Sequence, residues 1–269
     1  MTAIRLVHPF PSLVNSALVF GLAALAGGSL TRAPLLAFGM LGMQFCIGAV
    51  NDLHDQPVDR LAKPWKPLAA GIVSRRTATI VALATGGGGF VLAALAGPVP
   101  TVTWLAMLGC GLAYDLFLKP TLWAWLCFAV AFTLMPVYAW LGAAGVLPPR
   151  AEFLLPLAFL AGPLIALSNG LSDLERDEAA GLRTLATRLG RRNTLAVMLG
   201  LLLAIHGLAW LLLAGVSVVA LAPVAAASGL ALVGLVLSAQ PQPQRREVGW
   251  MIQAVALALL GLAWLAALR

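Results

Sequence analysis

Long apolar runs, parted by short polar or proline- and glycine-rich breaks, recur from one end of the chain to the other. They fall near residues 12–30, 33–52, 76–96, 99–115, 121–141, 153–172, 193–213, 216–238 and 248–267. Each run is close to the roughly 20 apolar residues that carry a helix across a bilayer. Gly97-Pro98-Val99-Pro100 and Pro148-Pro149 divide neighbouring runs, because a helix continued through them would lose backbone hydrogen bonds. The pattern predicts an all-α polytopic membrane protein of about nine transmembrane helices, with residues 1–269 forming a single transmembrane domain.

Composition supports this and removes other classes. The chain is 61% hydrophobic and 10% charged with a mean hydropathy of +0.95, against roughly 45–50% and 25% for a soluble domain. Few residues remain for a soluble module. Cys46, Cys110 and Cys127 lie in apolar runs without paired spacing, which points to small packing residues rather than disulfides or zinc ligands. The opening MTAIRLVHPFPSLVN has prolines ahead of its apolar run and no small-residue cleavage pattern, so it reads as a retained segment, not a signal peptide. The net charge of +7 comes without a basic and aromatic soluble module, so nucleic acid is not an expected partner.

Topology accounts for the charge. With the N-terminus in the cytoplasm, all 17 lysines and arginines except Arg32, Arg150 and Arg269 fall on the cytoplasmic side, as the positive-inside rule requires. The run Gly86-Gly87-Gly88-Gly89 lies within the third span, where glycine permits close helix approach. With no strand before it and no Lys-Ser/Thr after it, it is not a phosphate loop.

Seven of the ten acidic residues crowd into two stretches: Asp52, Asp55 and Asp59 in NDLHDQPVD, and Asp173, Glu175, Asp177 and Glu178 in NGLSDLERDE. Carboxylates at the ends of apolar helices are costly, which makes them functional candidates. Both stretches read N-x-L-x-D-x-x-x-D, from Asn51 and from Asn169. Each leads into a small-residue and glycine step and then a basic pair, Arg75-Arg76 or Arg191-Arg192, an internal repeat over 51–76 and 169–192. Spacing of four sets the amide and both carboxylates on one helical face, where mutual repulsion calls for a cation. Oxygen ligands without histidine or thiolate favour magnesium. His54 points off that face. Pro57 removes a backbone donor, predicting that the helix kinks or ends before Asp59, which then reaches a metal from a loop. A solvated ion-pair network with Arg60, Lys63, Arg176 and Arg183 is an alternative that would account well for one such stretch and less well for two matched copies. A transporter would place its charges near the midplane instead.

At these residues the chain resembles the UbiA superfamily of intramembrane prenyltransferases. Asn51-Asp52-x-x-Asp55-x-x-x-Asp59 matches that family's NDxxDxxxD signature. Asp173-x-x-x-Asp177 matches its DxxxD signature, and Gly181-Leu182-Arg183-Thr184-Leu185 with Arg188-Leu189-Gly190 resembles the stretch that follows. The resemblance covers essentially the whole chain. It implies nine helices around a central cavity, with the motifs on the second-third and sixth-seventh loops and the site open to the cytoplasm. It further implies one Mg2+ on Asp52, Asp55 and Asp59 and another on Asp173 and Asp177, supported by Asn51 and Asn169. Lys63, Lys66 and Arg183 would neutralise diphosphate, while Tyr114 and Lys119 would form a tyrosine-and-lysine element between helices four and five. Asn15 is a weaker candidate for a polar group facing the cavity. The implied reaction moves an isoprenyl group from a prenyl diphosphate to a hydrophobic acceptor, aromatic or a quinone precursor, within the lipid bilayer and with no obligatory protein partner. Asp55, Asp173, Tyr114 and Lys119 are the expected catalytic groups. A UbiA-like terpene cyclase, a lipid-phosphate prenyltransferase and a non-enzymatic transporter are the alternatives.

Overall fold

The computed structural model describes residues 3–269. Among them a short 3-10 turn, Ala3–Val7, leads into ten α-helices: α1 (Pro9–Leu25), α2 (Arg32–Ala62), α3 (Arg75–Ala96), α4 (Pro98–Ala113), α5 (Ala124–Ala144), α6 (Ala151–Ser172), α7 (Leu174–Ala179), α8 (Leu185–Leu211), α9 (Val218–Ser238) and α10 (Pro243–Ala267). A π-helical turn, Tyr114–Leu118, extends α4. Eight helices are long and apolar enough to cross a membrane, and α1, at 17 residues, is the remaining apolar helix. The chain is therefore an integral multi-pass membrane protein. All nine apolar runs are helices; α7 is the addition, too short to span.

The chain divides into two compact units. The first takes the described residues up to Lys119 with Leu134–Leu147; the second takes Pro120–Thr133 with Pro148–Arg269. In the first, α2 is the spine. A Cβ on Gly42 of α2 would lie 2.6 Å from the Thr85 carbonyl oxygen and 2.9 Å from the Gly89 Cα of α3. Only hydrogen fits there; within the glycine run Gly86 and Gly89 are tightly packed too, while a Cβ on Gly87 or Gly88 would meet nothing within 4 Å. Trp104 Nε1 donates to the Gly39 carbonyl at 2.8 Å and Tyr138 OH to the Leu36 carbonyl at 2.9 Å, fastening α4 and the end of α5 to the same helix. Arg32 donates to the carbonyls of Ala96 and Gly142 at 3.0 and 2.9 Å, satisfying helix C-terminal acceptors.

In the second unit, α10 packs on α9 and α6, and α6 on α8. Arg246 of α10 is wholly buried. It donates to the carbonyls of Leu171 at 2.9 Å and Pro241 at 2.8 Å and pairs with the Glu175 carboxylate.

Three expectations need correction. First, α2 neither ends nor breaks at Pro57 but continues to Ala62, so the first motif lies on a helix and not in a loop. Proline deprives the Leu53 carbonyl of its helical donor; Arg75 Nη1 supplies a replacement at 3.3 Å while also donating to Gln56 Oε1 at 2.6 Å. Second, Asn169, Asp173 and Asp177 do not share one continuous helix. α6 stops at Ser172, Asp173 sits at the corner with φ −100° and ψ 2°, and α7 starts at Leu174. Third, the seventh apolar helix begins at Leu185, eight residues before its apolar run, with a kink at Gly190 (φ 69°).

The turns that follow the two acidic stretches are alike. Gly71 and Gly181 both have left-handed backbones, at φ 72° and 68°. Three residues beyond each, a hydroxyl caps the next helix: Ser74 accepts from the Thr77 amide, and Thr184 from the Thr187 amide.

Candidate functional site

Asp52, Asp55 and Asp59 stand at i, i+3 and i+7 of α2, so a single stripe of the helix carries all three. Asp52 and Asp59 are deeply buried, 1% and 5% exposed. Lys66 bridges them, with Nζ at 2.8 Å from Asp52 Oδ1, 2.7 Å from Asp59 Oδ2 and 3.5 Å from Asn51 Oδ1. The segment after α2 holds that lysine in place. Leu68 is buried in one apolar cluster with Leu6, Cys46, Ala49, Val73, Ala78 and Ala82, and Gln56 Nε2 donates to its carbonyl at 3.3 Å. Burial would lower the Lys66 ammonium, but Asp52 and Asp59 outweigh it and hold the group above the ordinary lysine value.

Lys119 forms an ion pair with Asp55. The π turn places it: the Lys119 amide donates to the Tyr114 carbonyl at 2.9 Å, five residues back, so Tyr114 and Lys119 share a face. Burial opposes the charge of Lys119, and the Asp55 carboxylate overcomes that and raises it. His54, expected off the motif face, lies with Nδ1 3.3 Å from Asp55 Oδ1.

Two side chains that the sequence reasoning passed over belong here. His8 Nε2 lies 3.0 Å from Asp52 Oδ1. Asp115, 3% exposed, accepts from Asn51 Nδ2 at 2.8 Å. A lone carboxylate within an apolar run was itself a signal for Asp115; His8 lay in the N-terminal stretch and carried none.

The second stretch has its own arrangement. Asp173 pairs with Arg176, and the Asp177 amide donates to the Asp173 carbonyl at 2.9 Å. The Asn169 carbonyl accepts from Ser172 Oγ at 2.7 Å. Arg183 is exposed just beyond Gly181, while Lys63 and Asn15 are half-buried. Arg246 is the basic residue whose role sequence did not anticipate here, since its charge counted only toward topology.

The donor set fits magnesium. It consists of hard carboxylate and amide oxygens, and Asp52 Oδ2 and Asp115 Oδ2 are buried with no hydrogen-bond partner. Among the described residues no three or more His, Cys, Asp or Glu side chains are gathered so that they could hold a metal ion by themselves. Magnesium suits such a partial set, because it usually keeps several waters and adds phosphate oxygens.

Known proteins place the chain. It is 29% identical over 218 residues to a 2-acylphloroglucinol 4-prenyltransferase from Humulus lupulus, covering 73% of this chain and 53% of that enzyme. The chain thus spans about half the length of that curated relative. It is 34% identical over 199 residues to a digeranylgeranylglyceryl phosphate synthase of Halobacterium salinarum, covering 72% of this chain and 71% of the relative. A UbiA homolog from Archaeoglobus fulgidus bound to GPP and Mg2+ has the same fold, with a TM-score of 0.70 and 20% identity over 98% of this chain and 99% of that one. The same homolog bound to DMAPP and Mg2+ gives a TM-score of 0.73, covering 97% and 99%. The UbiA prenyltransferase family model matches residues 13–255, and the chain belongs to that family.

Proposed function

We propose that this protein is a Mg2+-dependent intramembrane prenyltransferase. It moves an isoprenyl group from a prenyl diphosphate to a small aromatic or quinone-precursor acceptor and releases diphosphate. The observation that carries this is the stripe Asp52, Asp55 and Asp59 with two raised-pKa lysines against it, at the end of a membrane-length helix of a UbiA-family chain. Asp52, Asp55 and Asp59 would hold one Mg2+, Asp173 and Asp177 another, with Asn51 and Asn169 supporting them. When bound, the metal supplies Lewis acidity for the bridging oxygen of the leaving diphosphate.

The chain's own residues do the rest. Lys66 and Lys119 are fixed cations where negative charge develops on the leaving group, and they need no reorganisation at that moment. Lys63 would add to the positive charge beside the first acidic stretch and Arg183 beside the second, and Tyr114 is aligned with Lys119 by the π turn. Apolar helix walls keep water from the allylic cation until the acceptor's electrons capture it. The distribution of basic residues supports a cytoplasmic N-terminus and a site that opens to the cytoplasm.

The test is prenyl transfer by the full chain in nanodiscs, with labelled prenyl diphosphate and host lipid extract. Release of diphosphate with a lengthened lipid is expected with Mg2+ and not with EDTA. Replacing Asp55 or Asp173 by alanine should cut the rate by about a hundredfold or more; near-wild-type rates in both variants would sink the assignment.

Similarity to a digeranylgeranylglyceryl phosphate synthase supports a second reading, a lipid-phosphate acceptor. Product that forms only on addition of a glycerol-phosphate lipid would select it, whereas a cyclic product from prenyl diphosphate alone would indicate a cyclase. Mass spectrometry of lipids from cells with and without the chain would identify donor and acceptor together.

A further inference from the structure

We infer that His8 is a positioning residue that orients the Asp52 carboxylate for metal binding, delivered by the N-terminal segment folded against α2. This rests on the reading of Asp52 as a magnesium ligand and adds to it the group that aims the ligand.

Three observations converge on His8. Its backbone is left-handed, with φ 46° and ψ 66°, although it carries a side chain and precedes Pro9. Such a conformation costs about 1–3 kcal/mol and persists where surrounding structure imposes it. That structure is present: Ser12 Oγ lies 2.9 Å from both the Val7 and His8 carbonyls, and Leu6 is buried in the same apolar cluster as Leu68. Second, the segment lies directly on α2. A Cβ at Gly48 would fall 3.0 Å from the Val7 carbonyl carbon and 3.2 Å from His8 Cδ2. Third, the ring reaches the carboxylate, with Nε2 at 3.0 Å from Asp52 Oδ1.

The result is an uneven load on one carboxylate. His8 Nε2–H and Lys66 Nζ both donate to Oδ1, whereas Oδ2 is buried with no hydrogen-bond partner. Two donors on one oxygen fix the plane of the group and leave the other oxygen bare for a cation. Outer partners of this kind hold metal ligands in orientation, and their loss typically lowers metal affinity 10- to 100-fold.

The experiment measures binding of labelled geranyl diphosphate to the full chain in nanodiscs as Mg2+ is varied. His8→Ala should require about tenfold more Mg2+ for half-saturation, with unchanged geranyl diphosphate affinity once Mg2+ saturates. His8→Gln shares the backbone penalty of alanine but restores an N–H donor, and should return toward the wild-type Mg2+ requirement. Gly48→Ala keeps the ring but displaces the segment, and should resemble His8→Ala; it also serves if His8→Ala does not fold. Asp52→Asn is the control, expected to lose Mg2+-dependent binding. If it does and His8→Ala matches wild type, or His8→Ala and His8→Gln shift alike, the role of His8 is overturned and Asp52 stands. If Asp52→Asn binds as wild type does, both readings fall.

Discussion

Arg75 and Pro57 are complementary: the proline withholds an amide from the Leu53 carbonyl, and the arginine, the first residue of α3, brings a guanidinium to it at 3.3 Å. Arg75→Ala should therefore lower stability by about 1 kcal/mol. The effect should shrink when Pro57→Ala restores the helix's own donor. A double-mutant cycle on thermal unfolding in detergent, with coupling well above zero, checks the pairing; additivity would refute it.

Lys66 neutralises two buried carboxylates at once. Replacing it with methionine leaves Asp52 and Asp59 facing each other's charge and should cost about 3–5 kcal/mol in the metal-free protein. Adding Asp59→Asn should recover part of that loss, as a rise in unfolding midpoint over the single variant.

Two glycines, each inside a membrane-length helix, should respond differently. Gly42→Ala drives a Cβ into the backbone of α3, which should cost about 1–3 kcal/mol. At Gly87 a Cβ meets open space, and Gly87→Ala should be neutral or stabilising by up to about 1 kcal/mol. Paired melting curves decide this.

Arg246 ties α10 to the corner between α6 and α7. Its removal strands the Leu171 and Pro241 carbonyls, and Arg246→Ala should cost about 3 kcal/mol or more, with Arg246→Lys recovering little because one ammonium cannot span the same acceptors. Urea titration of the solubilised variants reads this out.

The apolar runs and the two acidic stretches were legible because both are local: period, length and spacing are written in consecutive residues. What escaped depends on partners distant in sequence. Pro57 read as a breaker because nothing nearby announces that Arg75 will cover the carbonyl it exposes. The corner at Asp173 escaped because the N-x-L-x-D-x-x-x-D spacing suits a continuous helix, and Arg246, which holds the turn through Glu175, lies 71 residues from it. His8 escaped for the same reason, being 44 residues from Asp52.

The wide turn at Tyr114–Leu118 gives this stretch of chain slack. A five-residue hydrogen-bonded loop stacks Lys119 over Tyr114, and an ordinary four-residue turn would stack a lysine one position earlier in the same way. Deleting one of Leu116, Phe117 and Leu118 should therefore leave the ammonium aimed at Asp55. Deleting two swings it by about a quarter turn or more, away from the acid, so this loop's length is free by one step and then abruptly constrained.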